Sequence, residues 1–136
     1  MALYTIGDTH LSLGSSKPMD VFGGAWEGYV DKLAQGLSIL QPEDTLVIAG
    51  DISWGMSLEE AEADFAWLDA LPGTKILMKG NHDYWWNTAS KMNRFFQEKG
   101  FTTLRILHNN CHLYGETALC GTRGWFYEED KPGQSQ

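Results

Sequence analysis

At 136 residues the chain has the length of one domain and enough residues to bury a core unaided. A hydrophobic fraction of 43% with 21% charged residues excludes a disordered tail, and no apolar run approaches the roughly 20 residues of a membrane helix. The net charge of −8 argues against nucleic acid or anionic lipid as a bulk partner. The start carries neither the basic n-region nor the apolar h-region of a secretory signal, so the expected compartment is the cytoplasm.

Leu3-Tyr4-Thr5-Ile6 is the first expected strand, and Gly7 opens a turn. Residues 11–23, rich in Gly, Ser, Pro and Lys, read as a loop. Over residues 24–40 the apolar positions Trp26, Tyr29, Val30, Leu33, Leu37 and Leu40 recur at helical spacing, and Gln41-Pro42 ends the helix. Residues 45–49 are short, apolar and β-branched, which suits a strand buried on both faces. Ser57-Leu-Glu-Glu60 has the form of a capping box. It predicts a helix with Ala61, Phe65 and Leu68 inward, ended by Leu71-Pro72-Gly73. Residues 75–78 are the third strand. Asn87 can cap a helix that buries Met92, Phe95 and Phe96 and closes at Gly100. Short strand-like pieces follow at residues 104–107, 111–114 and 117–121, then a polar, turn-forming tail. The order βαβαβα followed by a hairpin predicts an α/β fold. Its sheet should be mainly parallel and flanked by helices, with a C-terminal antiparallel hairpin.

Charge is unevenly spread. Residues 57–70 hold Glu59, Glu60, Glu62, Asp64 and Asp69 with no base. Residues 75–105 hold Lys75, Lys79, Lys91, Arg94, Lys99 and Arg105 against Asp83 and Glu98. Two solvated helix faces are the favoured reading; a field drawing in an anionic substrate is the other. A two-residue turn at Gly115-Glu116 pairs Tyr114 with Thr117 and sets Cys111 opposite Cys120 as a non-hydrogen-bonded pair. A disulfide is geometrically conceivable there, but two buried thiols are expected of a cytosolic chain.

Parallel sheets bind ligands beyond the carboxyl ends of their strands. Three segments stand there: Asp8-Thr9-His10, Gly50-Asp51 and Gly80-Asn81-His82-Asp83. Carboxylate, imidazole and amide oxygen suit Mn, Fe or Zn. On an extended backbone Asp-x-His points both ligands the same way. Asp51 has two oxygens and can bridge two ions, which can clamp a phosphate and activate water. Gly50 and Gly80 leave room for close backbone approach.

In this order and context, Gly7-Asp8-Thr9-His10, Gly50-Asp51 and Gly80-Asn81-His82-Asp83 resemble the calcineurin-like metallophosphoesterase superfamily. Leu11-Ser-Leu-Gly, Asp20-Val-Phe-Gly-Gly-Ala-Trp, Asp83-Tyr-Trp-Trp-Asn and Gly121-Thr-Arg-Gly-Trp-Phe resemble one bacterial branch of it. The resemblance implies hydrolysis of a phosphate mono- or diester, such as a small molecule or nucleotide, with two divalent ions (Mn, Fe or Zn). It implies that Asp8 and His10 bind one ion, that Asp51 bridges, and that Asn81 binds the second. His82 would protonate the leaving group, held by Asp83. The family draws further ligands from its second half, a later histidine and then a Gly-His-x-His pair. The two remaining histidines here, His108 and His112, stand outside that motif and read as surface or hairpin residues. Residues 1–136 are therefore expected to form a single, truncated domain, half of a two-sheet sandwich. The alternative expectation is a catalytically incomplete half that binds metal at most in part and self-associates.

Trp54, Tyr84, Trp85, Trp86 and Trp125 either rim the site, ready to stack on a base or aryl leaving group, or plug the loop bases; packing is favoured. Lys17 and Arg123 can reach a phosphate but read as solvated.

Overall fold

Short apolar strands alternating with helices favour a parallel sheet, and they form one here. In the computed structural model, which describes residues 1–14 and 28–122, β1 (Leu3–Ile6), β2 (Thr45–Ile48), β3 (Thr74–Leu77) and β4 (Leu104–Ile106) form one parallel sheet in the order β1-β2-β3-β4. The register pairs Leu3 with Thr45, Thr45 with Thr74, and Lys75 with Leu104. The strands are in phase, so their carboxyl ends finish along one edge. The fourth strand-like piece thus takes a definite place, beside β3.

The connections are α1 (Tyr29–Gly36), continued by a 3₁₀ turn at Leu37–Ile39, then α2 (Glu62–Ala70) and α3 (Ala89–Lys99). β5 (Asn110–Tyr114) and β6 (Thr117–Gly121) form a separate antiparallel pair. The fold is α/β, as expected. Leu46 and Ile48 of β2 are buried, as are Ile76 and Leu77 of β3. Phe65 of α2 meets Trp85, Phe95 and Phe96 edge to face, with ring centroids 4.9, 6.2 and 5.1 Å away. These contacts join α2 and α3 around one core, and the inner stripes predicted for both helices are buried. β1 lies at the sheet margin with Leu3 exposed, and no strand pairs with its outer edge among the described residues.

Several local features differ from expectation. The Ser57 hydroxyl accepts the Glu60 amide at 3.1 Å, as a capping box requires. That bond closes a separate turn, in which Ala61 N donates to Ser57 O, and the helix proper begins at Glu62. Thr88 rather than Asn87 caps α3, accepting from Lys91 N at 3.2 Å, and Gly100 ends it in the left-handed conformation. The hairpin has the predicted register, Tyr114 with Thr117 and Cys111 with Cys120. The two cysteines, expected as free thiols, are joined in a disulfide. Directly opposed non-hydrogen-bonded positions bring the side chains close enough for it.

The two charged stretches are not simply solvated. Asp64 and Lys75 are each fully buried. Lys75 Nζ donates to the carbonyls of Asp69, Leu71 and Gly73 and so covers the free carbonyl end of α2. Burial pushes its ammonium down to about 8, against the attraction of the Asp69 carboxylate. No described helix is long and apolar enough to cross a membrane. Lys17, Trp26, Arg123, Trp125 and the polar tail lie outside the described residues.

Candidate metal centre

Each expected ligand lies just past a strand. Asp8 and His10 follow β1, Asp51 follows β2, and Asn81, His82 and Asp83 follow β3. Beyond the strand ends the first two segments keep pairing irregularly. Asp8 N donates to Gly50 O at 3.0 Å, His10 N to Asp51 O at 2.9 Å, and Leu11 N to Ile52 O at 2.8 Å. Thr9, between Asp8 and His10, turns inward and its hydroxyl donates to Ile52 O at 2.9 Å.

The backbone here is not the extended one that Asp-x-His suggested. Asp8, His10 and Asp51 have φ of 56°, 44° and 49°, all left-handed. Asp and His are among the few residue types that enter this region more readily, though still at a cost. Left-handed turns at residues 8 and 10 face both side chains toward Asp51 while Thr9 serves the interior. The glycines permit the approach from β3. A Cβ on Gly80 would collide with the Asp51 amide and carboxylate, and one on Gly50 would come within 2.8 Å of the Gly80 backbone.

Asp8, His10 and Asp51 each offer a ligand atom, all within 4.8 Å of one another. His10 Nε2 stands 4.0 Å from Asp51 Oδ2, with the two side chains 12% and 15% exposed. His82 binds Asp51 twice: its amide donates to Oδ1 at 2.8 Å and its Nδ1 meets Oδ2 at 3.1 Å. Burial raises the Asp51 carboxyl pKa, but the His82 amide, the His82 ring and the charges of His82 and His10 outweigh it. The group sits below its ordinary value. Trp54 stacks on His10 at 5.3 Å and leans on His82 at the same distance. Asn81 is exposed beside them.

Asp83 does not pair with the ring of His82. Its carboxylate is 1% exposed. It accepts from Ile52 N at 2.7 Å, Ser53 N at 3.3 Å, Trp85 Nε1 at 3.0 Å and Gly80 N at 2.7 Å. It therefore ties the loop after β2 to the loop after β3. Asp64 makes the corresponding tie one loop over, accepting from the Ser53 hydroxyl at 2.5 Å and Leu13 N at 2.8 Å. Burial raises its carboxyl above the ordinary value, in spite of these two donors. Asp64 lies on the stripe of Ala61, Phe65 and Leu68, so its spacing marked it as inward-facing. The aromatics divide. Trp85 is core and Trp54 packs against the two histidines, whereas Tyr84 is 55% exposed.

Two carboxylates and one imidazole within ligating reach fit a hard or borderline divalent ion. His108 and His112 are elsewhere: His108 packs edge-on to Trp86, and His112 Nε2 bonds Ile106 O at 2.7 Å.

A family model described as calcineurin-like phosphoesterase matches residues 1–130. The crystal structure of a protein of unknown function from Aquifex aeolicus is similar, at 23% identity and a TM-score of 0.49. The likeness covers 87% of this chain and 58% of that one. No curated protein matches the chain.

Proposed function

Since the chain belongs to the calcineurin-like phosphoesterase family, we propose that it hydrolyses phosphate mono- or diesters, small molecules or nucleotides, at a binuclear centre of Mn, Fe or Zn. The observation that carries this reading is the gathering of Asp8, His10 and Asp51 within 4.8 Å. Asp8 and His10 would hold one ion, Asp51 would bridge, and Asn81 would hold the second. Bound divalent ions supply charge neutralisation at the phosphate and a lowered pKa for the attacking water. They also reverse the local sign of an acidic chain, so the net charge of −8 does not repel the substrate.

His82 is the proposed proton donor to the leaving oxygen. Its Nδ1 donates to Asp51, which fixes the ring. Its Nε2 has no partner among the described residues and the side chain is 44% exposed, so that nitrogen is free to meet a leaving group. Asp83 acts through the loops it ties and is a positioning residue. Asp51→Asn should strip bound metal, measured by mass spectrometry of the intact protein; unchanged metal content would remove Asp51 from the bridging role. His82→Ala should cut turnover and leave metal bound, whereas loss of metal would make His82 a ligand.

The proposal keeps the chain in the cytoplasm, where the Cys111–Cys120 disulfide would face a reducing glutathione pool. Trapping thiols directly in cells tests this: two reactive thiols would fit the cytoplasm, and an intact bridge would move the chain to an oxidising compartment. A second reading rests on the outer edge of β1, with which no strand pairs among the described residues and beside which Leu3 is 42% and Met1 71% exposed. On that reading the chain is an incomplete half-site that associates through this edge. A monodisperse monomer in sedimentation, turning over an aryl phosphodiester, would exclude it.

A further inference from the structure

We propose that the cavity beside the metal centre is the subsite for the leaving group, and that it selects a planar heterocycle such as a nucleobase. The inference rests on the phosphoesterase reading above and names its substrate class. The cavity lies between the turn after β2, the loop after β3 and the outer face of α3. Its volume is about 340 Å³. That is at the small end of ligand cavities, roughly 300–1,000 Å³, and suits a nucleoside better than a folded segment of protein.

Tyr84 joins the cavity to the site. Its ring stands 6.2 Å from that of His82, nearly perpendicular to it at 82°, and also lines the cavity. A leaving group protonated by His82 would therefore pass directly against Tyr84. The residue is 55% exposed, so a ligand can reach it. Trp85 lines the cavity from the core side, and its Nε1 is anchored on Asp83, so the wall is fixed to the same carboxylate that ties the metal loops. A rigid wall and an accessible aromatic ring are what stacking on a base requires.

The rim is polar and balanced. Lys91 and Arg94, one turn apart on α3, line it, and neither forms an ion pair among the described residues. Glu59 and Glu98 line it as well. Two cations and two carboxylates leave no net charge, so the cavity is not built for a second phosphate. They instead offer donors and acceptors together, which the edge of a heterocycle can use and an alkyl chain cannot.

The test uses the full chain loaded with Mn²⁺ and adenosine as the probe, with ribose as the control. Calorimetry should show adenosine binding at least tenfold more tightly than ribose, and Tyr84→Ala should weaken adenosine by about tenfold. Arg94→Ala, on an exposed helix position, should weaken it by a smaller factor. Adenosine should also inhibit competitively whichever ester is turned over, with an inhibition constant that rises in the same variants. Adenosine binding no better than ribose, or binding equally well to Tyr84→Ala, overturns the subsite. If no ester is hydrolysed while adenosine still binds through Tyr84, the phosphoesterase reading fails and the heterocycle subsite stands.

Discussion

Asp83→Asn separates two roles for that residue, tying loops or serving His82. The carboxylate is 1% exposed and accepts four donors, three on Oδ1 and one on Oδ2. In the amide, one of those oxygens becomes an NH₂ group that faces an N–H. The less costly orientation keeps the oxygen toward Ile52, Ser53 and Trp85 and abandons Gly80 N. A buried donor left without its acceptor costs about 1–3 kcal/mol, and bonds to a charged acceptor lie at the upper end. With donor facing donor, about 3 kcal/mol is expected. For a chain of this length that lowers the unfolding midpoint by about 10 °C. Gly80 abuts Asp51, so metal content should fall with it. Scanning calorimetry on apo protein and metal analysis on the same preparation measure both. An unmoved midpoint with impaired turnover would refute the argument, because it would mean that the carboxylate acts on His82 and not on the loops.

Gly80→Ala places a methyl group against the Asp51 amide and carboxylate. It should cost about 1–3 kcal/mol of stability and most of the metal affinity; wild-type metal content in this variant would show that the two loops approach less closely. Lys75 gives a pH signature. Its folded value of about 8 lies below that of the unfolded lysine, so between pH 8 and about 10.5 the unfolded chain binds more protons. Stability should rise through that window, by about 3 kcal/mol in all, and the penalty should be complete below pH 8. Chemical denaturation at several pH values should find this rise in the native chain and a flatter profile in Lys75→Met; equal slopes would show that the ammonium is not held at this value.

Periodicity was enough for β1, β2 and β3, for the inner stripes of α2 and α3, and for the hairpin register. Each depends on neighbours in sequence. The place of β4 was not legible, because a three-residue strand carries too little pattern to say which edge it joins. The cap at Thr88 rather than Asn87 is a choice between adjacent residues of similar capping strength. The proposed ligands Asp8, His10 and Asp51 were legible as strand-end residues, but their left-handed backbone was not. No glycine marks it, and it arises from irregular pairing between the segments after β1 and β2. The role of Asp83 was hidden for a similar reason. The family resemblance implied that Asp83 holds His82, whereas the four donors come from residues 52, 53, 80 and 85, which only the folded loops bring together.

The left-handed backbone at Asp8, His10 and Asp51 sets stability and ligation in opposition. Each such residue is disfavoured by roughly 1–2 kcal/mol where glycine would sit at ease. A library screened for heat resistance alone should therefore enrich glycine at positions 8 and 10 and erase their donor atoms, while Asp51 is kept by the His82 amide it accepts. The same library screened for retained metal should keep Asp and His there and find its stability elsewhere, on the helices and the hairpin.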